Sequence, residues 1–302
     1  MAPDSQNDDG PILFKPDTIP PHAFPQHEDL KQCVDNIPRY LFRVTSPQSA
    51  GATSVTEVCS RAWLNNASDR NQDLFAYSED FSPSLIAQKL EDHLLCMLKF
   101  DSNLVSWTSS LLFALHYAVY RHYLGERLED LSLLVVDTTQ FQRGTIIRDH
   151  LAIKAFESYS VLPADGDGLK ILHKWRNGHA YFGEYLSQGR LPLDPKYCAQ
   201  VTMQKLHEEG LVSLYPSIWY RDLPATWCGA LLVLRAEVSS ASRRMEERDV
   251  LRAMNLAKTF PCRDFHLPMT FMFLSLCPRN IDDSFSLLLQ ESMLESDEFS
   301  SK

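Results

Sequence analysis

Three short segments of this chain combine residue types that can do chemistry with local settings that can hold them. Leu41-Phe42-Arg43-Val44-Thr45-Ser46 carries an arginine late in an apolar run, just before a turn. Val105-Ser106-Trp107-Thr108-Ser109-Ser110 places hydroxyls along a run that leads into a helical pattern, and Glu184-Tyr185-Leu186-Ser187-Gln188-Gly189-Arg190-Leu191-Pro192 opens on a carboxylate. A guanidinium is a planar fork of donors that stays charged at every working pH, which suits a phosphate or a ribose. A carboxylate held in place stabilises a cation that develops beside it. Ser106 is too weak to be a nucleophile without a base, and an orienting role fits it better. Singly, each residue has an ordinary reading: Arg43 as a solvated charge, Ser109 or Ser110 as a helix cap, Glu184 on the polar face of an edge strand. Capping does not account for Ser106, which lies on the strand itself.

The elements that must position these residues follow from local pattern. Tyr40-Leu41-Phe42-Arg43-Val44 lies between Pro38 and Pro47 and reads as a strand. Ser82-Pro83-Ser84 opens a helix with Leu85, Ile86, Leu90, Leu94, Leu95 and Leu98 on its apolar face. Leu104 to Trp107 reads as a strand, and the helix after Ser110 has a stripe of Leu111, Leu115, Ala118 and Val119. Phe113, Tyr117 and Tyr120 share helical spacing and read as core or boundary residues, with a place lining a ligand pocket as the alternative. Leu131 to Val136 looks like a strand buried on both faces. Gly144 to Phe156 is expected to be helix, Pro163 to His179 a loop, Ala180 to Leu186 a strand, and Pro195 to Leu214 a helix. Leu231 to Val238 fits a strand or a helix end equally. Residues 1–36, rich in proline and acids without an apolar period, are expected to be a disordered leader. Residues 37–238 form the expected folded domain, and 239–302 a helical extension beginning with Ser242 to Lys258 and ending in an acidic, serine-rich tail.

In order and in local sequence the three segments resemble the R-S-E motifs of the cholera-toxin-like ADP-ribosyltransferases, the group of pierisin and scabin. In that family an L-[YF]-R strand supplies the arginine, a V-S-T-S strand the serine, and a glutamate strand runs into a glycine, an aliphatic residue and a proline. Arg43, Ser106 and Glu184 fall on those positions, Thr108 takes the place of the second serine, and Trp107 replaces the threonine. The resemblance covers residues 37 to 215, and the same segment resembles a family of uncharacterised fungal domains. It implies an α+β fold of two small packed β-sheets with surrounding helices and a cleft for NAD, which is the substrate. It implies that Glu184 and Ser106 are catalytic, that Arg43, Ser106, Thr108 and Glu184 bind NAD, and that ADP-ribose passes to an unknown protein acceptor. Glu184 would stand beside the oxocarbenium-like ribose and bond its 2′-hydroxyl. Two residues before that glutamate the family has Glu or Gln to engage the acceptor, whereas this chain has Phe182. That departure opens two alternatives, an NAD glycohydrolase and an interaction module that has lost catalysis. Phe182, Tyr181, Trp175 and His179 are the candidate acceptor contacts.

Composition narrows the remaining classes. With 39 acidic and 29 basic residues the chain has a formal charge of −10, which offers no broad attraction to nucleic acid or anionic lipid. The seven cysteines contain no C-x-x-C pair, and buried free thiols are expected. The acidic N-terminus lacks a signal-peptide pattern, and Phe265 to Cys277, interrupted by Pro268, is too short to span a bilayer. An intracellular, cytoplasmic protein is expected. His116, His122 and His150 share no metal-ligand spacing with an acid, so no metal is expected. Asp137 and Asp149 read as ordinary strand-end and helix residues. Asp165-Gly166-Asp167-Gly168 lacks the closing acid of a calcium loop, and no dinucleotide fingerprint, phosphate loop or nucleophile elbow occurs.

Overall fold

The run Tyr40 to Thr45 forms strand β1 (Tyr40–Thr45) in a computed structural model that describes residues 10–78, 81–96, 101–160, 168–178, 181–219, 227–240 and 245–276. Strands β2 (Ala52–Thr53), β3 (Glu57–Cys59), β4 (Leu104–Thr108), β5 (Ser132–Asp137), β6 (Ile147–Arg148), β7 (Glu184–Gln188), β8 (Arg190–Pro192) and β9 (Cys198–Thr202) follow. The architecture is α+β, with two small antiparallel sheets and helices. The chain divides into two compact units, Met1–Ser110 with Leu134–Cys198, and Leu111–Leu133 with Ala199–Lys302.

In the first unit the larger sheet runs β6-β7-β4-β1-β5, and the smaller runs β2-β3-β8. The pairing that matters most is β4 against β7, antiparallel, with Ser106 opposite Leu186 and Thr108 opposite Glu184. Side chains opposite one another in such a pair leave the same face, and residues two apart on a strand share it. Ser106, Thr108, Glu184 and Leu186 therefore share a face, together with Phe42, which lies opposite Thr108. The helices Pro83–Leu94, Asp149–Phe156 and Gly168–Arg176 pack on one another, and their apolar residues form one core with Leu104 and Leu186. On the other face Leu41, Val105, Trp107 and Tyr185 pack with Val58 and Leu191 of the smaller sheet. Trp107 keeps its buried indole satisfied by donating to Ser187 Oγ at 2.9 Å.

Several expectations need correction. Residues 10–36 are folded: Phe14, Ile19, Phe24, Leu30 and Val34 lie in the helix-side core, and the Phe24 ring stacks on Phe156 at 4.7 Å. Burying each such side chain contributes about 1.5–3 kcal/mol, which offsets the ordering of a segment built from single turns. Residues 1–9 lie outside the described residues. The expected helix Gly144 to Phe156 begins only at Asp149, because Ile147 and Arg148 pair with Leu186 and Tyr185 as a strand. The expected loop Pro163 to His179 contains the helix Gly168–Arg176, whose Leu169 and Leu172 find the core; 161–167 and His179 lie outside the described residues. The expected helix Pro195 to Leu214 is instead β9 followed by the helices Met203–Glu208 and Leu211–Leu214, broken at Gly210 with φ 96°. Helix Pro83–Leu94 forms as expected, with Ser82 capping Leu85 N–H, but Leu85 itself is exposed; Leu98 lies outside the described residues.

In the second unit the helix Leu111–Tyr123 buries the stripe Leu111, Leu115, Ala118 and Val119, and helix Trp227–Ser240 packs against it. The latter runs through the expected boundary at residue 238. Helix Glu247–Lys258 opens on a capping box between Glu246 and Asp249 and packs on His266–Ser275. The tail from Glu291 and residues 242–244 lie outside the described residues. No helix among the described residues is long and apolar enough to cross a membrane.

Candidate active site

Glu184 opens β7 and is held by its surroundings more tightly than a strand-end glutamate on a polar face would be. It is buried, and its carboxylate meets the Arg176 guanidinium from the last turn of helix Gly168–Arg176, while Ser106 on the neighbouring strand lies diagonally from it on the same face. Arg176 turns its Nε to Asp149 Oδ2 at 2.8 Å. Asp149, fully buried at the first turn of its helix, also accepts the His150 N–H at 2.6 Å and the Tyr181 hydroxyl at 2.9 Å. That hydroxyl lies 3.2 Å from the Glu184 carbonyl as well. The site is thus two carboxylates and one guanidinium in the same dry space, with a formal charge of −1.

Burial disfavours that surplus charge. Burial outweighs the rest and leaves the Glu184 carboxyl raised from 4.5 to about 7: Arg176 pulls it down, the Asp149 charge pushes it up, and the nearby Ser106 hydroxyl pulls it down again. Burial also raises Asp149, against the opposing pull of Arg176 and Tyr181. For Arg176, burial works against the charge, and Glu184 and Asp149 outweigh it and keep the guanidinium ionised. A carboxylate poised near neutral pH in a buried site is the kind of group that proton-transfer and charge-stabilising sites use.

The loop before β7 is fixed from β4. Thr108 Oγ1 donates to the Phe182 carbonyl at 2.7 Å, and Ser109 N–H donates to the Gly183 carbonyl at 2.8 Å. Gly183 has φ 66°, and a Cβ there would fall 2.1 Å from Ser109 Oγ, so only glycine lets the loop approach this closely. Phe182 is buried, and the Arg176 guanidinium lies over its ring, 4.5 Å from the centroid. The residue that departs from the transferase pattern thus packs against the internal cation. Tyr181 is engaged with Asp149 and the Glu184 carbonyl. Trp175 is 48% exposed and stands apart from the cluster.

Arg43 reaches Ser106 by its main chain. Its Nη1 donates to the Ser106 carbonyl at 2.8 Å and its Nε to Thr53 Oγ1 at 2.9 Å. Because Phe42 shares the face of Thr108 and Glu184, Arg43 leaves β1 toward the face of Leu41 and Trp107. The structure therefore places Ser106 and Glu184 on one face of the sheet and ties Arg43, from the other face, to the Ser106 main chain. On the helix side, His93 Nε2 lies 2.9 Å from Ser106 Oγ. Sequence reasoning missed Arg176 and His93 and set Asp149 aside. One signal was available: Arg176 continues the stripe of Leu169 and Leu172, and His93 the stripe of Ile86 and Leu90, and a charged or polar side chain in an apolar stripe needs a buried partner.

The family model for a domain of unknown function, DUF7587, matches residues 36–194. The chain belongs to this family. The matched segment contains Arg43, His93, Ser106, Thr108, Asp149, Arg176 and Glu184, so the whole cluster lies inside it. Nothing matches among curated proteins or among solved structures. Asp137, the other acid of the sequence reading, serves a separate role, accepting from Arg39 Nε at 3.0 Å. Among the described residues no group of three or more His, Cys, Asp or Glu side chains is arranged to hold a metal ion. The free thiols of Cys33, Cys59 and Cys198 are buried and that of Cys96 is exposed.

Proposed function

We propose that this chain is an ADP-ribosyltransferase-like domain that cleaves nicotinamide from NAD and passes ADP-ribose to an acceptor. The observation that carries this reading is the register of β4 against β7, which sets Ser106 diagonally from Glu184 on one face of the sheet, with Arg43 tied to the carbonyl of the same serine. The two small antiparallel sheets are of the kind the resemblance calls for. In the reaction, the bond between ribose C1′ and nicotinamide breaks and its electron pair leaves on nicotinamide. The ribose cation faces the Glu184 carboxylate, which lowers its energy. A bond then forms from the acceptor's nucleophilic atom to C1′, and the acceptor's proton passes to Glu184. Arg43 serves the site from the opposite face of the sheet, by holding the Ser106 carbonyl. Because the ionised carboxylate is the active form, nicotinamide release rises with pH through about 7.

The test is nicotinamide release from NAD, for which Glu184→Gln is expected to lower kcat/KM by roughly a thousandfold or more. Wild-type and variant indistinguishable in a sensitive assay would remove the catalytic claim. Free ADP-ribose without a modified acceptor would assign the hydrolase alternative instead.

One observation favours a second reading, an interaction module that has lost catalysis. Arg176 already occupies the Glu184 carboxylate, and Phe182 packs beneath it rather than facing an acceptor. This reading requires that calorimetry find no NAD binding to the folded chain. Saturable binding that Arg43→Ala weakens would eliminate it.

A further inference from the structure

Ser106 stands between Glu184 and a histidine to which the reaction above gives no role. His93 lies in the last turn of helix Pro83–Leu94, with Nε2 2.9 Å from Ser106 Oγ and Nδ1 2.8 Å from Ser102 Oγ. Ser102 Oγ in turn accepts the Leu104 N–H at 3.1 Å. Burial first and the Arg43 charge second pull the His93 imidazole down to about 4, so at neutral pH it has one N–H and one lone pair.

The direction of every bond in this chain then follows from its Glu184 end. Ser106 and Glu184 are diagonal neighbours on one face of the β4–β7 pair, and an ionised Glu184 can only accept, so a Ser106 O–H that meets it points at it. The Ser106 oxygen is left to accept, and the nitrogen facing it must carry the proton, which makes His93 the Nε2–H tautomer. Its Nδ1 is the lone pair, so Ser102 donates to it. At the far end the Leu104 N–H can only donate, which takes one lone pair of Ser102 Oγ and leaves its proton available for His93, in agreement with the order read from Glu184. The opposite tautomer would draw the Ser106 proton to Nε2 and strip Glu184 of that hydrogen bond.

We propose that His93 is a positioning residue for the carboxylate: its Nε2–H holds the Ser106 hydroxyl aimed at Glu184. The inference rests on the reading of Glu184 as the NAD-cleaving group. The charged and titratable neighbours are Arg43 for His93, and Arg176, Asp149 and the Cys96 thiol for Glu184. Both ends of the chain meet main-chain or side-chain atoms of β4 or its approach, so the histidine ties the helix to the strand that carries Ser106.

The experiment combines magnetic resonance with kinetics on the full chain. Nitrogen-15 shifts of His93 in the wild type are expected to show the Nε2–H tautomer with no titration between pH 5 and 8. In His93→Phe the carboxyl-carbon titration midpoint of Glu184 is expected to rise by about half a unit, since a hydrogen bond to the charged form is loosened. Turnover for nicotinamide release is expected to fall roughly tenfold or more, with KM for NAD little changed. His93→Gln keeps an N–H donor near the Nε2 position and is expected to restore most of both. An Nδ1–H tautomer in the wild type overturns the proposal. So does a folded His93→Phe with the Glu184 midpoint and turnover unmoved. If His93→Phe does not fold, the wild-type ring shifts and the Glu184 midpoint in Ser102→Ala, expected to move up, decide the matter. Wild-type protein that releases no nicotinamide sinks the transferase reading alone, and the ring shifts and the Glu184 midpoint still judge His93.

Discussion

Two arginines of the first unit each grip a pair of carboxylates, and the two clamps differ mainly in their distance from water. Arg143 holds Asp35 Oδ1 at 2.8 Å and Asp17 Oδ2 at 3.0 Å, with side chains 52%, 45% and 53% exposed. Arg176 holds Asp149 and Glu184, with side chains 6%, 0% and 10% exposed. Around Arg143 water and salt share the task of balancing charge, and the clamp fastens the N-terminal segment to the start of the β6 region at little cost. Around Arg176 the three side chains are buried, and burial drives both carboxylates upward. The same constellation is a surface fastening in one place and a charge-strained site in the other. Only the second stores energy in a form that a ligand or a proton can release.

The largest expected effect comes from removing the buried cation. Arg176→Met keeps much of the side-chain volume and leaves Asp149 and Glu184 facing each other without a counter-charge. Removing one partner of a buried ion pair costs about 3–5 kcal/mol, and here two acids are stranded at once. The loss is expected in full near pH 8 and to shrink toward pH 5, where both acids, already raised, take up protons. Denaturant titration at the two pH values reads this directly. A loss below about 1 kcal/mol at pH 8 would mean that water reaches the cluster and that the contrast with Arg143 is false.

Removing the strained charge should do the reverse. The folded carboxyl of Glu184 is raised from 4.5 to about 7, so folding takes up protons in that window, and the wild type loses stability as pH climbs through it. Glutamine does not titrate, and its oxygen still accepts from Arg176, which keeps Asp149 as its ionic partner. Glu184→Gln is therefore expected to match the wild type near pH 5 and to exceed it at pH 8 by about 1–3 kcal/mol, Asp149 sharing the titration. Thermal melts across that range are the measurement. A variant less stable than the wild type at pH 8 would show that the Glu184 charge is a net structural asset. Greater stability together with lost nicotinamide release would mark a residue kept for chemistry.

What could be read in the sequence follows the same division. β1, β4, β5 and the capped helix Pro83–Leu94 were legible because each has a regular period and a local start signal. The placing of Ser106 and Thr108 on one face came with the period of β4. The fold of residues 10–36 was not legible: Phe14, Ile19 and Phe24 sit on short stretches between prolines and Leu30 on the five-residue helix His27–Lys31, none with a sustained period, and only the tertiary cluster explains them. β6 was hidden because two strand residues run straight into a helix. The partners of Glu184 were hidden for another reason. Asp149 and Arg176 lie 27 residues apart and on two helices, so their meeting is a property of packing and not of any window of sequence.

The smallest expected effect belongs to the exposed clamp, and it decides what fastens the N-terminal segment. Arg143 also donates to the Lys31 carbonyl, but that bond, at 3.5 Å, is long. Arg143→Ala is expected to cost about 1 kcal/mol or less, and that difference is expected to fade in 1 M salt, where charges more than about 3 Å apart are screened. The apolar side chains beneath carry the attachment instead. Phe24 is fully buried and stacks on Phe156, so Phe24→Ala is expected to cost about 3–5 kcal/mol and to be insensitive to salt. Paired melts of the two variants at low and high salt test the ranking. If Arg143→Ala proves the costlier, the segment is held by charge, and solvent exposure no longer distinguishes the two clamps.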